Sequence, residues 1–119
     1  MRFMSEIGFT IKLGQEEAYQ RWLIDNEAAY AASMPEGVRH LGVFVTAFSS
    51  EKHAGFYRLF AELDSYAALD RMAAANKDET SEFSRLNREA SHFGDYDLNA
   101  PWSNSLHKAV VDASIFDPG

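Results

Sequence analysis

The 119 residues carry a formal charge of −7, no Cys, and 46% hydrophobic against 24% charged side chains. A chain this long buries roughly two-thirds of its unfolded surface, so residues 1–119 are expected to form a single domain with a core. The acidic balance without a Lys/Arg cluster argues against nucleic acid, and the missing Cys excludes disulfides, thiolate metal sites and a Cys nucleophile.

Phe3 to Leu13 alternates, with Phe3, Ile7, Phe9, Ile11 and Leu13 on one side and Met4, Glu6, Gly8, Thr10 and Lys12 on the other, which predicts a strand with one apolar face. Polarity at Ser5 and Glu6 comes too early for a signal peptide. No run approaches the roughly 18 apolar residues of a membrane span, so no membrane association and a cytoplasmic location are expected. Gly14 breaks the strand, and Gln15, Glu16 and Glu17 supply the acidic first turn that a helix dipole favours. Tyr19, Trp22, Leu23, Asn26, Tyr30 and Ser33 then recur at helical spacing, until Met34-Pro35-Glu36-Gly37 ends the helix.

Val38–Phe48 and Gly55–Leu63, rich in β-branched and aromatic residues, predict the two strands of a hairpin around the polar loop 49–54. Strict alternation sets Leu41, Val43, Val45 and Ala47 on one face with Tyr57, Leu59, Ala61 and Leu63. It sets His40, Phe44, Thr46 and Phe48 on the other with Phe56, Arg58, Phe60 and Glu62. A helix capped by Asp64 or Ser65 is expected next, striped by Tyr66, Leu69, Met72 and Ala73 and interrupted at Asn76-Lys77-Asp78. A separate helix follows from Glu79, through Phe83, Leu86, Ala90 and Phe93, to Gly94. Asp95 to Ser105 reads as an irregular segment, and Leu106 to Phe116 as a last strand.

Strand, helix, strand, strand, two helices, strand is the split βαβ plan of a ferredoxin-like α+β fold, an antiparallel sheet with its helices on one face. The other face carries Phe44, Phe48, Phe56 and Phe60, and a second copy of the chain packed sheet against sheet is the economical cover.

The candidates for chemistry lie mainly on that mixed face. His40 reads as a hydrogen-bonded interface residue or a proton-transfer group. Arg58 and Glu62 read as an ion pair or as the anchor of a polar ligand group, with Phe44 and Phe60 as apolar walls. Glu6 joins them from the first strand; a carboxylate among phenylalanines would have a raised pKa and could act as a base. His92 reads as a cation at a helix C-terminus or as a second proton-transfer group. His53 and His107 read as surface positions. Asp95, Asp97 and Asn99 imitate a calcium loop that fails where Gly and a closing carboxylate are required, at Ala100 and Leu106. Trp102 reads as a lid on an apolar pocket or an anchor for its own segment. Phosphate loops, nucleophile elbows and Ser/His/Asp spacings are absent, and no metal or cofactor is called for.

Three stretches carry a resemblance: Ile11 to Leu23, a strand, Gly and acidic helix entry; Met34-Pro35-Glu36-Gly37-Val38, a helix-to-strand turn; and Phe60 to Leu69, a strand running into a helix. In these the chain resembles the dimeric α+β barrel superfamily, which includes antibiotic-biosynthesis-type monooxygenases, haem-degrading monooxygenases and muconolactone isomerases. The resemblance implies a homodimer with a pocket between each protomer's sheet and helices or under the long loop. The first strand lacks the Asn of the haem-degrading branch, and Tyr66 stands where its Trp would be expected. The expected function is therefore binding of a small, partly apolar organic compound, as a cofactor-independent monooxygenase or isomerase, or else as a non-catalytic ligand-binding or protein-interaction dimer.

Overall fold

The computed structural model describes residues 1–51, 54–95 and 103–115. Its elements run β1 (Phe3–Phe9), α1 (Glu16–Ala32), β2 (Val38–Val45), β3 (Tyr57–Leu63), α2 (Ala68–Lys77), α3 (Glu82–Ser91) and β4 (Ser103–Lys108). The strands form one antiparallel sheet in the order β2-β3-β1-β4. This is the ferredoxin-like order expected of two interleaved split crossovers.

Local chemistry accounts for the boundaries. Gly14 takes φ +85° between β1 and α1, and α1 opens on Glu16 and Glu17 without a side-chain cap. At the far end Gly37, φ +84°, turns the chain into β2. That turn is clamped to the β3–α2 turn: the Asp64 amide donates to the Gly37 carbonyl at 2.9 Å, and Arg71 donates both to the Glu36 carbonyl (2.7 Å) and to Asp64 (3.0 Å).

The expected cap at Asp64 or Ser65 is not formed. Those residues enter a turn, and α2 begins at Ala68 after Ala67. Helix α3 is separate, as its sequence predicts. The Ser81 hydroxyl caps it by accepting the Ser84 amide at 3.0 Å.

Two expectations fail in the strands. The last strand is Ser103–Lys108, not Leu106 to Phe116; residues 112–114 form a 3-10 turn, and Phe116 lies outside the described residues. The more consequential failure is in β2. His40 pairs with Ala61 and Gly42 with Phe60, leaving Leu41 as the extra residue of a β-bulge, with Gly42 at φ +148°. One inserted residue reverses every face assignment on the N-terminal side. Val38 and His40 therefore turn toward the helices, and Arg39 takes the place on the open face that alternation gave to His40.

The core has two parts on the helix side. Phe3, Val38, Ala61, Leu63 and Ala68 pack beneath α2, while Tyr30, Phe83 and Leu86 pack between α1, α3 and the sheet. Leu63 and Leu86 are wholly buried. Phe44 and Phe48 are 54% and 90% exposed, while Phe56 is buried.

Candidate functional site

The open face is built on charge more than on phenylalanine. Glu62, buried, faces Arg39 across the β2–β3 ladder, and its two carboxylate oxygens are taken separately: Arg39 donates to Oε2 (Nε at 2.9 Å) and Arg2 to Oε1 (Nε at 2.9 Å). Burial raises the Glu62 pKa, but hydrogen bonds from Arg2 and Arg39, followed by their charges, outweigh it and hold the carboxyl below its ordinary value. The expectation of a raised pKa is thus corrected for Glu62: two guanidinium groups favour its ionised form.

The expected Arg58–Glu62 pair is replaced for a geometric reason. Four residues along a strand span about 13 Å, whereas cross-strand neighbours are about 5 Å apart. Arg58 instead reaches over β1. Its Nη1 lies 3.6 Å from Glu6 Oε2 and donates to Ser103 Oγ at 2.8 Å, and its guanidinium lies 4.0 Å above the Phe56 ring. His107 Nε2 stands 3.4 Å from the other Glu6 oxygen. Phe44 and Phe60 meet edge to face at 5.6 Å beside this network.

His40 belongs to the opposite face. Its side chain is buried, Nε2 lies 3.3 Å from Glu27 Oε1 on α1, the ring meets Tyr30 edge-on at 5.1 Å, and Nδ1 has no hydrogen-bond partner among the described residues. His92 caps α3 at the surface, and its carbonyl accepts from Lys12 Nζ at 3.1 Å. Sequence alone grouped His40 with Glu62, Glu6 and Arg58; the sheet separates them. Trp102, Asp97, Asn99 and His53 lie outside the described residues.

Between the sheet and the helices runs a groove of two lobes, about 400 and 170 Å³, both bordered by Ile7, Tyr30, Leu59 and Asn87. Ile7 and Leu59 are cross-strand partners on β1 and β3 and form its floor. Met72 of α2 and Phe83 of α3 wall the larger lobe, and Phe9 the smaller. Three carboxamides interrupt this apolar surface: Asn76, Asn87 and Asn104. Asn87 Nδ2 donates to Asn76 Oδ1 at 3.0 Å. Tyr30 stacks on Phe83 at 5.8 Å, and burial pushes its phenol up to about 12, so the hydroxyl keeps its proton at neutral pH.

These polar groups are not singled out by their sequence context. Tyr30 reads as one more member of the α1 stripe, and Asn104 falls in a segment that reads as irregular. Asn87 does leave a trace, since it is a carboxamide standing between Leu86 and Ala90 beside the apolar stripe of α3. Two shallower hollows, about 300 and 290 Å³, lie beside Arg2, Arg39 and Glu62 and beside Phe44, Arg58 and Phe60. Their charged groups already pair with one another, which leaves the groove as the better ligand site.

No family model matches the chain, and no curated protein matches it in sequence. Solved structures do match. A NIPSNAP family protein from Agrobacterium tumefaciens superposes with a TM-score of 0.66 at 14% identity, over 98% of this chain and 100% of that one. An uncharacterized NIPSNAP-like domain protein from Burkholderia xenovorans gives 0.65 at 11%, over 99% and 90%. A protein from Nitrosomonas europaea, described as antibiotic biosynthesis monooxygenase-like, gives 0.58 at 11%, over 92% and 99%. At such identities the likeness is one of fold. The chain has the ferredoxin-like α+β fold of the NIPSNAP and antibiotic-biosynthesis-monooxygenase-like proteins, the fold that its sequence resembles.

Proposed function

We propose that the protein is a cytoplasmic homodimer that binds a small, partly apolar organic molecule in the groove between its sheet and its helices. The observation that carries this reading is the groove itself: an apolar cleft of a few hundred Å³ with a small number of convergent polar groups is the usual form of a small-molecule site. The dimer is supported by the open face, where Phe44 and Phe48 are exposed beside the charge network of Arg2, Arg39, Arg58, Glu6 and Glu62. Among the described residues, no helix is long and apolar enough to cross a membrane.

Whether the bound molecule is also transformed is the finer question. In a cofactor-independent monooxygenase or isomerase, His40, His92, Glu6 or Glu62 would move the proton, and Arg58, Phe44, Phe60 and Trp102 would hold the substrate. None of the seven described members of that set borders the groove. This favours a non-catalytic ligand-binding dimer over the enzyme.

Native mass spectrometry of freshly purified protein, followed by denaturing analysis of whatever dissociates, tests the proposal. A mass of two chains with an added small molecule is expected. A monomer would contradict the reading of the open face, and a bare dimer that takes up no apolar compound would contradict the reading of the groove.

A further inference from the structure

Every described residue bordering the groove is uncharged, in a chain of which 24% is Asp, Glu, Lys or Arg. Its polar atoms are hydroxyls and carboxamides. Transfer of an ion into such a cleft loses hydration with no opposite charge to compensate, whereas a neutral oxygen finds donors of its own kind.

Among those donors Tyr30 stands apart. It is only 9% exposed, and it borders both lobes. Phe at this position would keep the stack on Phe83 and the edge contact with His40, so the hydroxyl is the only part of the side chain that serves the groove. Retention of the hydroxyl makes sense if a ligand acceptor receives its hydrogen bond. Its raised pKa keeps it a donor rather than a phenolate throughout the physiological range. The Asn87–Asn76 bond uses one donor of Asn87 and one acceptor site of Asn76, leaving the Asn87 oxygen and the Asn76 amide hydrogens for a second polar group.

We infer that the ligand is an uncharged, ring-sized apolar compound bearing a carbonyl-type oxygen, and that the Tyr30 hydroxyl donates to that oxygen. The inference rests on the groove reading above and narrows it.

Three probes with the same bicyclic ring separate the possibilities when titrated calorimetrically into the full chain at pH 7.5. These are 2-acetylnaphthalene, neutral with an acceptor; 2-naphthoate, an anion; and 2-ethylnaphthalene, with no acceptor. The ketone is expected to bind at least about tenfold more tightly than the carboxylate. Tyr30→Phe is expected to weaken the ketone by about fivefold and to leave the hydrocarbon unchanged. Because Tyr30→Phe keeps the ring contacts with Phe83 and His40, the variant should melt within a few degrees of the parent, which separates an effect on the ligand from a fault in folding. Equal or tighter binding of the carboxylate would overturn the inference while leaving the groove as a binding site. An equal effect of Tyr30→Phe on ketone and hydrocarbon, or no effect on either, would overturn the donor role. Failure of all three probes to bind would overturn the groove reading together with it.

Discussion

Gly8 and Arg58 are direct cross-strand partners, and the space a side chain at Gly8 would fill is occupied by the Arg58 guanidinium. A Cβ built on Gly8 would stand 2.5 Å from Ser103 Oγ and 3.0 Å from Arg58 Cζ, and nearer still to Nη1. The glycine thus opens the slot through which a β3 arginine crosses β1 to reach Glu6 and β4. Gly8→Ala should displace the guanidinium and cost about 1–3 kcal/mol. In an Arg58→Met background the same change should cost much less. Denaturant unfolding of the four chains of this cycle checks the coupling, and strict additivity would contradict it.

Glu62 contributes to the acid sensitivity of the fold. Its folded pKa lies below the unfolded value, 4.5, because Arg2 and Arg39 hold it ionised. The stabilisation is therefore complete above 4.5 and is lost as pH falls from there through the folded pKa. Glu62→Gln should cost about 2 kcal/mol at pH 7, less than a fully enclosed pair because Arg39 is half-exposed. The parent and variant melting temperatures should converge as pH falls below 4.5 and through the folded pKa; parallel curves would show that Glu62 is not the group responsible.

The bulge makes its own prediction. Gly42 takes φ +148°, and a Cβ there would lie 3.1 Å from the Phe44 ring, so Gly42→Ala should destabilise by about 1–2 kcal/mol. Deletion of Leu41 removes the extra residue and leaves His40 and Gly42 on the faces they already occupy. The shortened chain should fold with its remaining amide spectrum little changed, and in it Gly42→Ala should be better tolerated. A collapse of the β2–β3 correlations on deletion would contradict this register.

Phe44 tests the seam. It is 54% exposed and packs on Phe60, so a charge at this position disturbs the fold of one chain less than the contact between two. Phe44→Glu should convert a dimer into a folded monomer by light scattering on a sizing column. A dimer unaffected by the change would place the seam elsewhere.

The fold was legible because its determinants are local. The alternation of Phe3 to Phe9, the Pro35–Gly37 turn and the Phe83, Leu86, Ala90 spacing each specify an element without help from the rest of the chain. The site was less so. A bulge of one residue moved His40 to the helix side, and nothing beyond Gly42 in the sequence marks it. Arg58 and Glu62 were rightly placed on the open face, but their partners, Glu6 with Ser103 and Arg2 with Arg39, come from strands far apart in sequence and are set by register. Tyr30 looked like core because it is core; its hydroxyl becomes visible only when the neighbouring elements leave it a gap.

Where a ligand lands decides the account more directly than whether one binds. Methyl-labelled protein titrated with 2-acetylnaphthalene would report this through Ile7, Leu59 and Met72 in the groove, with the Thr46 methyl beside Arg58 on the open face as the reference. Shifts concentrated on the first three, attenuated in Tyr30→Phe, are the predicted result. Shifts at Thr46 with the groove methyls silent would contradict it, and would assign binding to the open face beside Arg58.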